Sequence, residues 1–261
     1  MLPVVRASEL FDLSGEVALV TGASSGLGAR FAEVLAAQGA NVVLAARRVD
    51  RLDALVRQIT ERGGAATAVR LDVTDRTSIG TAFDVAERVW GPLTIVVNNA
   101  GVGAGGSFLD ADDATWDRLQ QTNVEGVWFV GREAARRMVA RAIKGTIINV
   151  SSILGYRVKD ATAYSVGKAA VVQMTNAMAV DLAEHDIRVN GIAPGYLMSE
   201  MTETFLASDA GKATVNRIPQ RHSGHPSDLD GTLMLLASRK ASAFMTGSTI
   251  VVDGGHLWSF T

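Results

Sequence analysis

The chain contains no cysteine. Disulfides, thiolate nucleophiles and Cys-ligated zinc are therefore excluded. Proline is scarce, at five in 261 residues, and no Pro- or Ser-rich linker divides the sequence, so one domain is expected over 1–261. Charge of either sign is nearly balanced, with a net value of −2. A nucleic-acid partner, which needs a basic face to neutralise phosphates, is not expected. No run of about 20 uncharged apolar residues occurs, and the segment from Met1 to Gly15 carries acids without a long apolar stretch. Neither a membrane span nor a secretory signal is expected, and cytoplasmic residence follows as the expectation. The four histidines, His185, His222, His225 and His256, have no metal-ligand spacing. No carboxylate cluster suggests a metal either, and each histidine is read as a surface or turn residue.

What the sequence does have is alternation. Seven short apolar runs, Val17–Val20, Val42–Leu44, Ala66–Val69, Thr94–Val97, Thr146–Val150, Arg188–Ile192 and Thr249–Val252, are mostly apolar on both faces, as buried parallel strands must be. Between them lie helical patterns at Leu27–Gln38, Asp50–Arg62, Asp75–Val89, Thr115–Ala140, Ala161–Glu184 and Ser227–Ala237, several stopped by glycine. Such alternation predicts an α/β fold: a doubly wound (Rossmann) seven-stranded parallel sheet with helices on both faces. The stretch Met198–Arg221 breaks the alternation, which places a substrate lid at about 198–221.

The first strand runs into Thr21-Gly22-Ala23-Ser24-Ser25-Gly26-Leu27-Gly28 and then a helix. Gly22 permits a tight turn, Gly26 lets backbone approach a ligand, and Gly28 allows close helix–strand packing. Free N–H groups and the helix dipole then favour a pyrophosphate. The second strand ends Leu44-Ala45-Ala46-Arg47-Arg48, with Arg51 following. An acid here suits ribose hydroxyls, whereas arginine suits a 2′-phosphate. Cations at a helix N-terminus oppose the dipole, so an anionic ligand explains them better than helix stability does. Arg47 lies nearer the strand end than Arg48 and is the first choice. NADP(H) is therefore favoured over NAD(H).

Tyr164 and Lys168 stand at i and i+4 on one helix face. A nearby ammonium favours phenolate, lowers the tyrosine pKa, and suits the hydroxyl to proton transfer with a carbonyl or alcohol. Strand five delivers Ser151 and Ser152 to the carboxyl edge of the sheet, and strand four delivers Asn98, Asn99, Ala100 and Gly101 to the same edge, where such folds bind ligands. Asn123 sits mid-helix, where asparagine is a poor helix former. Asp72, followed by Val73, is at once a candidate helix cap and a candidate ligand residue.

With these elements in order, the chain resembles the short-chain dehydrogenase/reductase family, in its single-domain branch and near its 3-oxoacyl reductase-like ketoreductases. The resemblance runs from about Phe11 to His256 and rests on Thr21-Gly22-x-x-x-Gly26-x-Gly28, Asp72, Asn98-Asn99-Ala100-Gly101, the serine with Tyr164-x-x-x-Lys168, Asn123-Val124-Glu125-Gly126, and Pro194-Gly195.

The resemblance implies an oxidoreductase interconverting a ketone and a secondary alcohol. Tyr164 would be the acid/base, Lys168 the ribose-binding residue that lowers the tyrosine pKa, and the serine the holder of the substrate oxygen. Asn123 would anchor a water linking Lys168 to solvent. The cofactor would meet Ser24, Ser25, Leu27, Asp72, Val73, Asn99, Ala100, Gly101, Pro194, Gly195, Leu197 and Ser199. The family's Ser-x-x-Gly pattern, through Gly155, selects Ser152. Its commoner spacing to the tyrosine selects Ser151. Ser152 is chosen because a loop loses a residue more easily than a strand-end motif shifts.

Leu154, Tyr156 and Tyr196 are expected to touch a small-molecule substrate, either a partly apolar ketone or a 3-oxoacyl derivative. The family also implies a homotetramer, and the apolar run Leu257-Trp258-Ser259-Phe260 is expected to pack on a neighbour or over the pocket. Two other functions compete. One is an NAD-dependent dehydrogenase of a sugar, polyol or steroid alcohol. The other is a dinucleotide-sensing module without chemistry, which could dispense with the tyrosine and lysine kept here.

Overall fold

The computed structural model describes residues 4–159 and 161–259. Seven strands form one all-parallel sheet in the order β3-β2-β1-β4-β5-β6-β7. They are β1 (Val17–Thr21), β2 (Asn41–Ala46), β3 (Ala65–Arg70), β4 (Ile95–Asn98), β5 (Thr146–Val150), β6 (Arg188–Pro194) and β7 (Thr249–Val252). The helices are α1 (Ala7–Leu10), α2 (Gly26–Ala37), α3 (Val49–Glu61), α4 (Arg76–Trp90), α5 (Asp113–Gln120), α6 (Gly126–Ala140), α7 (Thr162–Leu182), α8 (Glu203–Ala207), α9 (Asp209–Val215), α10 (Asp230–Ala237) and α11 (Arg239–Ser242). No described helix is long and apolar enough to cross a membrane.

Each central strand is apolar on both sides because both sides are covered. Ala18 and Val20 of β1, with Val42 and Leu44 of β2, enter one core with Phe31 and Leu35 of α2, Leu52 and Ile59 of α3, and Leu233 and Leu236 of α10. Their neighbours Val17, Leu19, Val43 and Ala45 enter the other core, with Ile79 and Phe83 of α4, Val130 and Met138 of α6, and Ala179 of α7. The side-chain period of two thus feeds two cores from one run of apolar residues.

The seven strands, the helices on both faces and the single doubly wound sheet agree with the sequence. Three boundaries differ in an informative way. The expected helix Thr115–Ala140 is α5 and α6 joined through a π-helical turn, Gln121–Glu125. Ser227–Ala237 begins as a 3-10 turn, Pro226–Leu229, which His225 and Asp228 cap reciprocally, with Pro226 in the first turn where its missing N–H costs nothing. The segment 198–221 holds two short helices, α8 and α9. They cross so closely that a Cβ on Gly211 would overlap the Phe205 carbonyl.

Arg188, at the start of β6, is buried and fastens the strand to the last helices. It donates to Thr146 Oγ1 at 2.8 Å, Leu236 O at 2.8 Å and Ser242 Oγ at 2.9 Å, all neutral acceptors. Replacing it by methionine keeps the packing but strands those acceptors, so Arg188→Met should cost about 2–4 kcal/mol of stability. Urea unfolding with an unchanged denaturant slope is the measurement.

Candidate active site

The switch point of the sheet lies between β1 and β4, where consecutive crossovers depart in opposite directions. A cavity of about 610 Å³ opens there at the carboxyl edge. The residue following each of the first six strands lines it: Gly22, Arg47, Leu71, Asn99, Ser151 and Gly195. Thr21 ties this edge together. Its hydroxyl donates to Val97 O and accepts from the backbone N–H groups of Asn99 and Ala100, both at 3.0 Å, while Asn99 Nδ2 donates to Thr21 O at 2.9 Å.

The glycines fit a phosphate cradle. Gly22 has φ +67°, and a Cβ there would stand 2.8 Å from Ala100 Cα. Gly26 has φ +55° and open space before it out to Ser199, so only its lack of a side chain keeps that approach clear. Gly28 lies behind the cavity wall, where a Cβ would come within 2.4 Å of Gly22 O. Its role is packing, as expected. Ser24, Ser25, Leu27, Arg47, Arg48, Asp72, Val73, Ala100, Gly101, Pro194, Leu197 and Ser199 all line the cavity with these glycines. The helix cap after β3 is Asp75, which accepts from Thr77 N–H at 2.9 Å. Asp72 instead faces the cavity and accepts from Thr74 N–H and its hydroxyl. A nicotinamide dinucleotide therefore fits: glycines and a helix N-terminus for the pyrophosphate, arginines and Asp72 at one end, and hydroxyls at the other.

At that other end stand Ser151, Ser152, Tyr164 and Lys168. The Ser-x-x-Gly spacing has a structural cause. The 3-10 turn Ile153–Gly155 lies against α7 so closely that a Cβ on Gly155 would sit 2.8 Å from Lys168 O. Ser151 Oγ donates to that same carbonyl at 3.0 Å, which takes Ser151 out of the chemistry. The Ser152 side chain instead hydrogen-bonds Tyr164, so the geometry favours Ser152. Lys168 Nζ donates to Val150 O at 2.9 Å and stands 5.7 Å from the Tyr164 ring centre.

Burial reverses one expectation. The Tyr164 hydroxyl is not lowered by Lys168. Desolvation pushes it up to about 12, with the Ser152 hydrogen bond offsetting part of the rise. The same desolvation brings Lys168 down to about 8. The cost of burying a charge is the largest effect on each group.

Asn123 stands near Gly101 and Lys168. It is fully buried in the π-helical turn, not solvent-facing. Its Oδ1 accepts from Val102 N–H at 2.8 Å and its Nδ2 donates to Val102 O at 2.9 Å. The amide thus holds the loop after β4, with one of its two N–H donors and one lone pair of its oxygen in use. Asn98 is likewise internal. It donates to Asn149 Oδ1 at 2.9 Å, and Asn149 donates to Thr175 Oγ1 at 3.0 Å, linking β4, β5 and α7.

Leu154, Tyr156 and Tyr196 do not line the cavity. Tyr156 is exposed at the end of the 3-10 turn. Tyr196 packs instead beside Phe205 of α8 and His256, at ring separations of 5.5 and 5.6 Å. Trp258 is exposed, and Leu257, Trp258 and Ser259 do not line the cavity. Phe260 lies outside the described residues.

His256 is buried rather than on the surface. Burial holds its imidazole below the usual value, helped by Arg157, Lys159 and Arg217 and opposed by Asp253. Lys159 Nζ donates to Thr214 Oγ1 at 2.6 Å and lies over the Tyr196 and Phe205 rings. Glu200, Met201 and Thr202 fall within the expected lid at 198–221 and line the cavity wall, although none was singled out by residue. The only available signal was their position directly after Ser199. The Thr202 hydroxyl accepts from Ser199 N–H at 3.1 Å and donates to Leu197 O, which fixes the bend that carries Leu197 and Ser199.

The model of the family described as short chain dehydrogenase matches residues 16–210. The chain is 38% identical to gluconate 5-dehydrogenase of Gluconobacter oxydans, with 95% of this chain and 96% of the relative covered. It is 37% identical to galactitol 2-dehydrogenase (L-tagatose-forming) of Cereibacter sphaeroides, with 95% and 97% covered. Among solved structures, it is similar to a gluconate 5-dehydrogenase from Burkholderia cenocepacia in complex with NADP and tartrate. That match has a TM-score of 0.93 at 33% identity, with 97% and 100% covered.

Burial of a lysine whose ammonium reaches one carbonyl costs stability. Lys168 titrates near 8 in the folded chain and near 10.4 when unfolded. Below pH 8 it is charged in both states and the burial cost is present in full. Between pH 8 and about 10.4 the folded form sheds its proton first, so the cost fades as pH rises. Lys168→Met should therefore raise stability at pH 7 by about 1–3 kcal/mol while abolishing turnover, and the gain should shrink by pH 10. Paired thermal melts at the two pH values check this.

Proposed function

The chain belongs to the short-chain dehydrogenase/reductase family, and on that footing we propose that it is an NADP(H)-dependent oxidoreductase interconverting a ketone and a secondary alcohol on a hydroxylated, acid-bearing carbon chain. One observation carries this reading: a single cavity runs from Arg47 and Arg48 at one end to Ser152, Tyr164 and Lys168 at the other.

Arg47 and Arg48 hold the 2′-phosphate, with Ala46 leaving no acid to repel it. The glycine turn and the start of α2 hold the pyrophosphate. The bound cofactor supplies or accepts the hydride. Ser152 holds the substrate oxygen. Tyr164, a phenol at neutral pH, donates its proton to that oxygen in the reductive direction. Lys168 positions the cofactor ribose and replaces the tyrosine's proton. Asn123 acts as a positioning residue: it fixes the loop at Val102 beside Gly101 and Lys168. The segment 198–221 acts as the lid.

The substrate expectation shifts from a 3-oxoacyl derivative toward a sugar acid or polyol. Relatives named for gluconate and galactitol chemistry support this. A homo-oligomer is supported by the exposed apolar residues Trp128 and Val139 of α6 and Val166 and Val180 of α7.

The test is NADPH-linked reduction across keto sugar acids, neutral ketoses and 3-oxoacyl thioesters. Keto sugar acids should give the highest kcat/KM. Tyr164→Phe should lose about 10²–10⁴-fold in turnover with NADPH affinity unchanged. Preferential turnover of thioesters would overturn the substrate class, and an active Tyr164→Phe would overturn the mechanism.

A further inference from the structure

Glu200 lies just after the bend that carries Ser199, and its carboxylate reaches across the cavity mouth to the opposite wall. Oε1 accepts from Arg51 Nη1 at 2.5 Å, and Oε2 accepts from Arg48 Nη2 at 3.4 Å and Nη1 at 3.5 Å. Other donors of Arg48 are also engaged. Nε and Nη2 reach Ser24 Oγ at 3.1 and 3.0 Å, and Nη2 reaches Ser25 Oγ at 2.8 Å. The hydrogen bonds from Arg51 and Ser25 bring the Glu200 carboxyl down to about 2, so it stays ionised at any working pH. Glu200, Arg48, Ser24 and Ser25 line the cavity along with Arg47.

The neighbouring residue closes the same mouth further along: a Cβ on Gly103 would lie 3.2 Å from Met201 Sδ. The chain's own carboxylate therefore sits on a guanidinium assigned above to the cofactor's 2′-phosphate. Arginine has a fixed fork of donors and no acceptor. A phosphate that engages Arg48 through both terminal nitrogens competes for the donors that Glu200 holds. A cofactor without the 2′-phosphate makes no such demand.

We infer that Glu200 is a specificity-setting residue that competes with the 2′-phosphate for Arg48, selectively weakening NADP(H) and leaving NAD(H) almost untouched. The inference rests on the reading of Arg47 and Arg48 as the phosphate site. Its sign is definite: removing the carboxylate strengthens NADPH preference. Arg51, outside the cavity wall, serves as the place to which the displaced carboxylate moves, which keeps Glu200 paired when Arg48 is taken.

The experiment titrates NADPH and NADH by nicotinamide fluorescence into the full-length wild type, Glu200→Gln and Arg47→Ala. Glutamine keeps the size and removes the charge, and an unchanged melting temperature verifies the fold. Glu200→Gln should tighten NADPH roughly 3- to 10-fold, as expected for one or two exposed ion pairs, with NADH altered less than about twofold. The inference is read from the change in the NADPH to NADH ratio, whatever the wild-type ratio is. Unchanged affinities, equal shifts for both cofactors, or weaker NADPH binding would each overturn it, the last by making Glu200 a clamp. The phosphate-site reading fails separately, if Arg47→Ala leaves the ratio unaltered.

Discussion

The close approach of one turn to one helix sets the chemistry of this site. Residues Ser152 to Gly155 must lie against α7 with backbone nearly touching backbone, and only the missing Cβ of Gly155 allows it. That approach brings Ser152 to Tyr164, ties Ser151 to the Lys168 carbonyl, and seals Lys168 under the end of β5. The sealing has an energetic consequence. Both ionisable groups lose water, so burial shifts each toward its neutral form: the tyrosine is held as a phenol, while the lysine, at about 8, still carries its charge at pH 7. The buried lysine is thus a source of instability, offset by the two cores on either side of the sheet. Sites that trade stability for reactivity in this way are common among enzymes.

Parallel pairing explains why so many functional groups converge. When every strand runs the same way, every strand ends at the same edge. Here six consecutive strand ends deliver a residue to one cavity. Thr21 and Asn99 then hold the two strands at the switch point in register, so the cradle for a dinucleotide is stiff before anything binds. The lid departs from the same edge after β6, which places Glu200 opposite the arginines that follow β2.

Much of this was legible in the sequence because it is local. Apolar runs of three to five residues, glycine at Gly22, Gly26 and Gly28, and Tyr164 with Lys168 one helical turn apart each depend on neighbours within a few positions. The seven strands, the cradle and the proton-transfer pair were read from such patterns. What escaped depends on distant partners. His256 is buried by Tyr196 and Arg157, far away in the chain, so its own surroundings in the sequence read as a turn. Asn123 was unpredictable in detail because a π-helical turn has no composition signature and because its amide is used by Val102. The helices α8 and α9 are too short to show a period. The tyrosine pKa was misjudged for a related reason: i, i+4 spacing reveals proximity to a charge but not the loss of solvent, and here desolvation is the larger effect.

The most direct test is the ionisation of Tyr164 in the cofactor-free protein. The chain has only three tyrosines, so ultraviolet difference titration of wild type against Tyr164→Phe isolates the one of interest. With the hydroxyl held near 12, no phenolate signal attributable to Tyr164 should appear below about pH 11. A step in the difference titration at pH 8 to 9 would mean that Lys168 outweighs burial, and it would contradict the claim that desolvation sets the protonation state of the pair.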